Sequence, residues 1–284
     1  MVFPYEEEYP SGLRELYDRP NIIYYKGKLP DNSLKSVAVV GSRNCSEYGR
    51  STAKELGRVL AGAGAQVISG LAIGIDVAAH KGAVFAGGAT YAVLAGGVDV
   101  CYPRQNFNTY IDILQNGGIM SEFPGDTRTR PGMFPLRNRI ISGLCDAVII
   151  VEAGIKSGSL ITASQALEQN RQVYAVPGRI SDKDSEGCNS LIEQGAQIVC
   201  SYTGLLDDLG LNTGTVTKTN EKNILLASDE KMLYSQLLDF SPKSLETLIR
   251  DTGLLQMQVF RALLALELKG LVKEISKNFY IRIM

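Results

Sequence analysis

The 284-residue chain has 29 Lys and Arg against 30 Asp and Glu, a net charge of −1, with 45% hydrophobic and 21% charged residues. These are the proportions of a globular chain with a core of normal size, and they exclude a uniformly basic DNA-wrapping protein; any nucleic-acid site must be a local basic patch. Five scattered cysteines with no CxxC pair, and His80 as the one histidine, exclude a disulfide framework and a multi-histidine metal centre.

The first twenty residues are acidic and broken by proline, and no apolar run approaches the ~20 residues of a membrane span. We therefore expect no signal peptide, no membrane span and a cytoplasmic location. Residues 1–35 read as an irregular lead rich in tyrosine and proline, with a short edge strand in IIYYKG. VAVVGSR (37–43) is a continuous apolar run ending in glycine, as expected of a strand buried on both faces. Helical spacing follows over 46–63, at Ala53, Leu56, Val59 and Leu60. Strands are then predicted at 66–70, 90–96, 118–122, 147–153, 172–178 and 197–199. Helices are predicted at 74–87, 105–116, near 135–145, 159–169 and 186–194. This alternation predicts a doubly wound, mostly parallel α/β sheet over 36–209. Residues 210–228 read as a linker, with threonines and no aromatics in GLNTGTVTKTNEKN. The spacing in 229–284 predicts helices at 230–238, 244–251 and 255–269. Two short strands, LVKEI and FYIRI, follow around a Ser276-Lys277-Asn278 turn. Three helices and a hairpin are the parts of a winged helix.

In an open parallel sheet, ligands bind outside the carboxyl ends of the strands. Glycine crowds those ends here, in Gly41-Ser42-Arg43, in Ser69-Gly70 through Gly74-Ile75-Asp76, in Gly96-Gly97, in Ser157-Gly158-Ser159 and in Pro177-Gly178. Glycine admits close approach of a phosphate, and a helix N-terminus offers it free N–H groups. A GxGxxG fingerprint is absent after the first strand, so a nicotinamide cofactor is not expected, and no other cofactor is either. The segment 123–140 holds Arg128, Arg130, Arg137 and Arg139 against Asp126, a local charge of +3, with Phe134 inside it. Arg43, Arg104 and Lys156 sit at other strand ends. Arginine interleaved with aromatics suits a single-stranded nucleic-acid groove, charge for the backbone and a ring for a base. Arg137 and Arg139 could instead brace the fold through Glu122 and Glu152. Asp76 and His80, four residues apart on one helix face, read as a hydrogen-bonded pair steadying the crest. No catalytic constellation is recognisable, and no metal site.

Eight ordered stretches carry a resemblance: GSR (41–43), SGLAIGIDVAAH (69–80), GGVDVCYP (96–103), SEFP (121–124), FPLRNRIISGL (134–144), VEAGIKSGSLITA (151–163), VYAVPG (173–178) and EGCNSLIEQGA (186–196). Together they resemble the DNA-processing protein A family (DprA, also called Smf), over about 25–284. The resemblance implies an extended Rossmann-like core that binds single-stranded DNA without catalysis, protects incoming DNA and loads the RecA recombinase during natural transformation. The candidate nucleic-acid contacts are then Ser42, Arg43, Gly70, Arg104, Arg128, Arg130, Phe134, Arg137, Arg139 and Lys156. It also implies a homodimer through the last α/β unit, where Leu167, Leu191, Ile192 and Ile198 supply apolar surface. Many members begin with a helical domain, which this sequence is not expected to include. The competing enzyme reading is a Rossmann-like nucleotide phosphoribohydrolase. Its PGGxGTxxE motif would fall where this chain reads AGIKSGSLITAS. A transcriptional regulator, resting on the winged helix alone, is a third reading. The helix 255–269 has only Arg261, Glu267 and Lys269, too little charge for a major-groove reader.

Overall fold

The computed structural model describes residues 1–211, 227–237 and 242–282. The chain divides into two compact units, Met1–Thr219 and Asn220–Met284. The first unit runs α1 (Ser11–Arg14), β1 (Tyr24–Gly27), β2 (Ser36–Val40), α2 (Glu47–Gly62), β3 (Gln66–Ser69), α3 (Ile75–Phe85), β4 (Thr90–Val93), α4 (Phe107–Asn116) and β5 (Gly118–Ser121). It continues with α5 (Met133–Gly143), β6 (Ala147–Ile150), α6 (Gly158–Glu168), β7 (Gln172–Ala175), α7 (Glu186–Glu193), β8 (Gln197–Ile198) and α8 (Tyr202–Asp208).

Eight strands form one sheet in the order β1-β5-β4-β3-β2-β6-β7-β8. All neighbours are parallel except β1, which pairs antiparallel with β5. The strand side chains alternate between two dry faces. Ala38 and Val40 join Ile68, Val148 and Ile150 under α5 and α6, while Val37 and Val39 join Val67 and Ile149 under α2 and α3. Burial on both faces is why these strands read as unbroken apolar runs. The helix after β2 begins on a cap: the Ser46 hydroxyl accepts from Gly49 N at 3.1 Å. From β2 the chain winds outward one way to β5 and then returns beside β2 as β6. That reversal opens a crevice at the carboxyl ends of β2 and β6.

The lead is mostly turns and bends, yet it is packed into the core. Val2 and Ile23 bridge, β1 extends the sheet edge, and Val2, Tyr9, Leu13 and Ile23 are almost wholly buried in the first core cluster. The Tyr9 hydroxyl donates to Pro20 O at 2.7 Å. The lead and the expected core at 36–209 therefore belong to one compact unit.

In the second unit, α9 (Ser228–Gln236), β9 (Lys243–Ser244), α10 (Leu245–Thr252), α11 (Gln256–Leu268), β10 (Val272–Ser276) and β11 (Phe279–Arg282) form a winged helix. Its core is Leu233, Leu248, Val259, Leu263, Leu266 and Tyr280. The hairpin β10–β11 gains a third strand, β9, that the sequence spacing did not suggest. Most of the expected linker, the end of the helix expected at 230–238 and the last residue of FYIRI lie outside the described residues. Among the described residues no helix is long and apolar enough to cross a membrane.

Candidate nucleic-acid interface

The crevice at the sheet's reversal is built from three chain turns. After β2, Ser42 N donates to Glu152 O at 2.7 Å, which ties the first crest to the chain leaving β6. Ile75 N donates back to Ser42 O, so α3 starts against that crest. Gly74 makes this approach possible, because its φ is +85° and a side chain would overlap Ser42 O. Glu152 is buried and accepts from the Ser46 backbone N and hydroxyl. It therefore anchors the start of α2 and does not brace an arginine.

Two connected cavities result. The larger, about 580 Å³, lies between β2 and α6 and is lined by Ser42, Arg43, Asn44, Arg137, Lys156 and Ser159, among others. The smaller, about 80 Å³, is mostly apolar, with Leu94, Val100, Tyr102 and Pro103 on its walls. Arg43, Phe134 and Arg137 border both. The Arg43 guanidinium lies 4.6 Å from the centre of the Phe134 ring, so one face of the ring already has a cation–π partner. Tyr102 meets the same ring at a 46° tilt with centroids 6.2 Å apart.

Arg137 is the floor. It is 5% exposed, and its Nη1 donates to Val93 O at 2.7 Å. Its Nε is buried with no acceptor. Burial, together with the like charge of Arg43, lowers its pKa to about 10 against the opposing pull of Asp76. The guanidinium stays charged at neutral pH. Asp76 lies in the first turn of α3 and accepts from Gly70 N at 3.1 Å and Ala72 N at 3.4 Å. Burial raises its pKa, opposed by Arg137 and by those two N–H groups.

The other expected contacts fall into three groups. Arg43, Arg104, Arg128, Arg130 and Lys156 are exposed, and no described carboxylate pairs with them. Ser42 and Phe134 are half-buried on the cleft wall. Arg139 and Gly70 are buried, and Arg139 requires correction. Arg139 is 9% exposed, and its Nη2 donates to both Glu122 oxygens at 2.7 and 2.6 Å. Its Nη1 donates to Asp18 O and its Nε pairs with the Asp18 carboxylate. With its charge neutralised inside the protein, it has none to offer a phosphate. Gly70 is buried under Arg137, where a methyl group would overlap the guanidinium. It makes room for Arg137, and it lines the smaller cavity. Of the four apolar residues expected at a dimer interface, Leu167 and Ile198 are exposed. Leu191 and Ile192 are half-buried against the first core cluster.

Residues 1–210 match the family model of DNA recombination-mediator protein A, and 219–276 match the DprA winged helix domain. The chain belongs to this family. It is 45% identical over 200 residues to the DNA processing protein DprA of Streptococcus pneumoniae, covering 70% of each chain. It is 40% identical over 204 residues to that of Bacillus subtilis, covering 72% of this chain and 69% of the other. An X-ray structure of the Streptococcus pneumoniae protein superposes with a TM-score of 0.67 at 42% identity over 73% of each chain. DNA processing protein A from Helicobacter pylori, solved to explain its single-stranded DNA binding mode, superposes with a TM-score of 0.65. That match has 31% identity and covers 73% of this chain and 98% of the other. Membership makes this a DNA-processing protein with a Rossmann-like core.

In this member of the family the sequence reading missed several cleft residues. Asn44, Asn138 and Thr162 line the large cavity beside the expected groups. Thr162 stands three residues after Ser159, one helical turn along the same face, so the Ser157-Gly158-Ser159 crest already pointed to it. Asp76 and His80 do not bond each other. Thr90 Oγ1 donates to Val67 O at 2.8 Å and receives the His80 Nδ1 proton at 2.7 Å, leaving Nε2 buried without a partner. Burial, with Arg137 adding repulsion, lowers the His80 pKa to about 3 from an ordinary 6.5. A depressed pKa means that the unfolded chain takes up the proton first. The stability His80 contributes is complete above pH 6.5 and is lost as pH falls from there toward 3. As the one histidine of the chain, it gives a clean NMR signal, which should remain that of a neutral imidazole at pH 5. Titration near 6.5 in the folded protein would contradict the burial described here.

Proposed function

We propose that this protein is a non-enzymatic binder of single-stranded DNA that protects incoming DNA and loads the RecA recombinase during natural transformation in the cytoplasm. The observation that carries this reading is the open cleft at the sheet's reversal, with Arg137 on its floor and Arg43 and Lys156 on its rim. Exposed Arg104, Arg128 and Arg130 extend the positive surface beyond it. Flexible cations around a cleft with Phe134 and Tyr102 suit a strand whose bases are unpaired, since a duplex hides its base faces. The absence of catalysis is supported by the state of the acids and bases nearby. Asp76 is the one carboxylate among the described residues lining the cleft, and backbone N–H groups hold it. His80 is buried and neutral.

The test is a binding comparison of single-stranded and blunt duplex oligonucleotides of one length. Single strands should bind more tightly, with a log–log salt slope of roughly −0.7 per phosphate neutralised. Arg43→Glu should reduce that affinity about tenfold, near 1.4 kcal/mol, with little change in melting temperature because the side chain is exposed. Equal binding to duplex, or an unaffected Arg43→Glu variant, would defeat the reading. Release of free base from nucleoside monophosphates, the signature of the phosphoribohydrolase alternative, should be undetectable.

We also propose a homodimer through the end of the sheet at β8. Leu167 on α6 and Ile198 on β8 are 58% and 45% exposed, and β8 is an edge strand. An uncovered apolar edge invites a second copy. Leu167→Glu should give monomers by sedimentation with the fold intact, since this side chain supports no core. A wild-type monomer at tens of micromolar would remove the basis for the dimer.

A further inference from the structure

We infer that the cleft at the sheet's reversal is a receptacle for one nucleotide unit, so that a free nucleoside 5′-monophosphate binds there and competes with single-stranded DNA. The competition rests on the DNA-binding reading above. Direct binding of the mononucleotide does not.

The first support is shape. A strand that merely lies along a surface needs only a groove. Here the chain forms an open but deep cleft of about 580 Å³. That volume falls in the ~300–1,000 Å³ range of small-molecule sites, and it has room for on the order of twenty waters. A bare phosphate would leave most of it empty.

The second support is an unsatisfied cation. Arg137 is 5% exposed and lines this cleft. Val93 O takes its Nη1, Nε has no acceptor, and no described residue accepts from Nη2. Asp76 faces it electrostatically without a hydrogen bond. A buried guanidinium with open donors calls for an acceptor from outside the fold.

The third support is how the walls divide. One end is the start of α6, an eleven-residue helix beside Lys156, where Ser157 caps Ser159 N and the helix dipole still favours an anion. Phe134, Pro135, Ile141 and Ile161 give the wall an apolar part that suits a sugar and a base face, while Asn44, Asn138 and Thr162 add polar groups. Arg43, Arg137 and Lys156 against Asp76 leave a charge of +2. A phosphomonoester carries nearly −2, whereas a diester within a strand carries −1.

The experiment uses the full chain at fixed ionic strength, with deoxythymidine 5′-monophosphate, thymidine and inorganic phosphate as probes. Calorimetry should show one monophosphate bound per chain, with thymidine and phosphate each at least about tenfold weaker. The monophosphate should displace a labelled oligothymidylate in fluorescence anisotropy. Lys156→Ala, an exposed substitution, should weaken monophosphate binding severalfold at unchanged melting temperature. Inorganic phosphate binding as tightly as the monophosphate would overturn the inference. So would a monophosphate that gives no heat, or one that binds while the oligonucleotide stays in place. If the monophosphate binds and no single strand does, the DNA reading fails while the nucleotide receptacle stands.

Discussion

Gly70→Ala should lower single-stranded DNA affinity by roughly 10–100-fold, the value of one to two charge-assisted hydrogen bonds. The added methyl would occupy the space of the Arg137 guanidinium. The backbone at Gly70 cannot retreat easily, because its N–H is held by Asp76 and α3 is packed behind it. Arg137 must therefore leave Val93 O, and the positive charge on the cleft floor moves with it. The fold should lose about 1–3 kcal/mol, the usual cost of leaving a buried acceptor such as Val93 O unpaired. Chemical denaturation gives the second number and anisotropy titration the first. A variant that binds normally would show that Arg137 does not have to sit where it does for DNA to bind. A variant that loses stability but keeps its affinity would show the same.

Arg139→Met should do the reverse. Here the expected loss is in stability, on the order of 3 kcal/mol, for removing one partner of a largely buried, bidentate ion pair. Glu122 would keep its charge at 24% side-chain exposure with no cation beside it, and Asp18 O would lose its donor. The lead loses a tie to α5, so its protection from hydrogen exchange should fall first. The affinity of the remaining folded protein for single strands should stay within about twofold, because Arg139 does not line the cleft. A loss of affinity at unchanged stability would return Arg139 to the DNA contacts and contradict the pairing described here. Taken together, the two variants separate arginines two residues apart into one that serves the cleft and one that holds the fold.

That separation marks where sequence stops being sufficient. Much was determined by the chain as a string. Unbroken apolar runs ending in glycine require strands covered on both faces, and their alternation with helical spacing requires a parallel sheet with a crest of turns at one end. The crest residues Ser42, Arg43, Lys156 and Ser159 follow from that geometry, and they do line the cleft. The winged helix is almost as local, since its helices and its hairpin are announced by their own spacing and only β9 is not. Tertiary structure alone decided the rest. Arg137 and Arg139 are ~200° apart around α5, so only one can face the crevice, and local sequence does not say which. The choice depends on how α5 seats against the sheet, which brings Val93 O to one guanidinium and Glu122 with Asp18 to the other. The same holds for the lead. Its tyrosines and prolines carry no regular spacing, so only the hollow beside β5 and α5 reveals that Tyr9, Leu13 and Ile23 belong to the core. Periodicity reports contacts within an element. Burial of an irregular segment and the partner of a charge are set by elements far away in sequence, and the fold must bring them together before either exists.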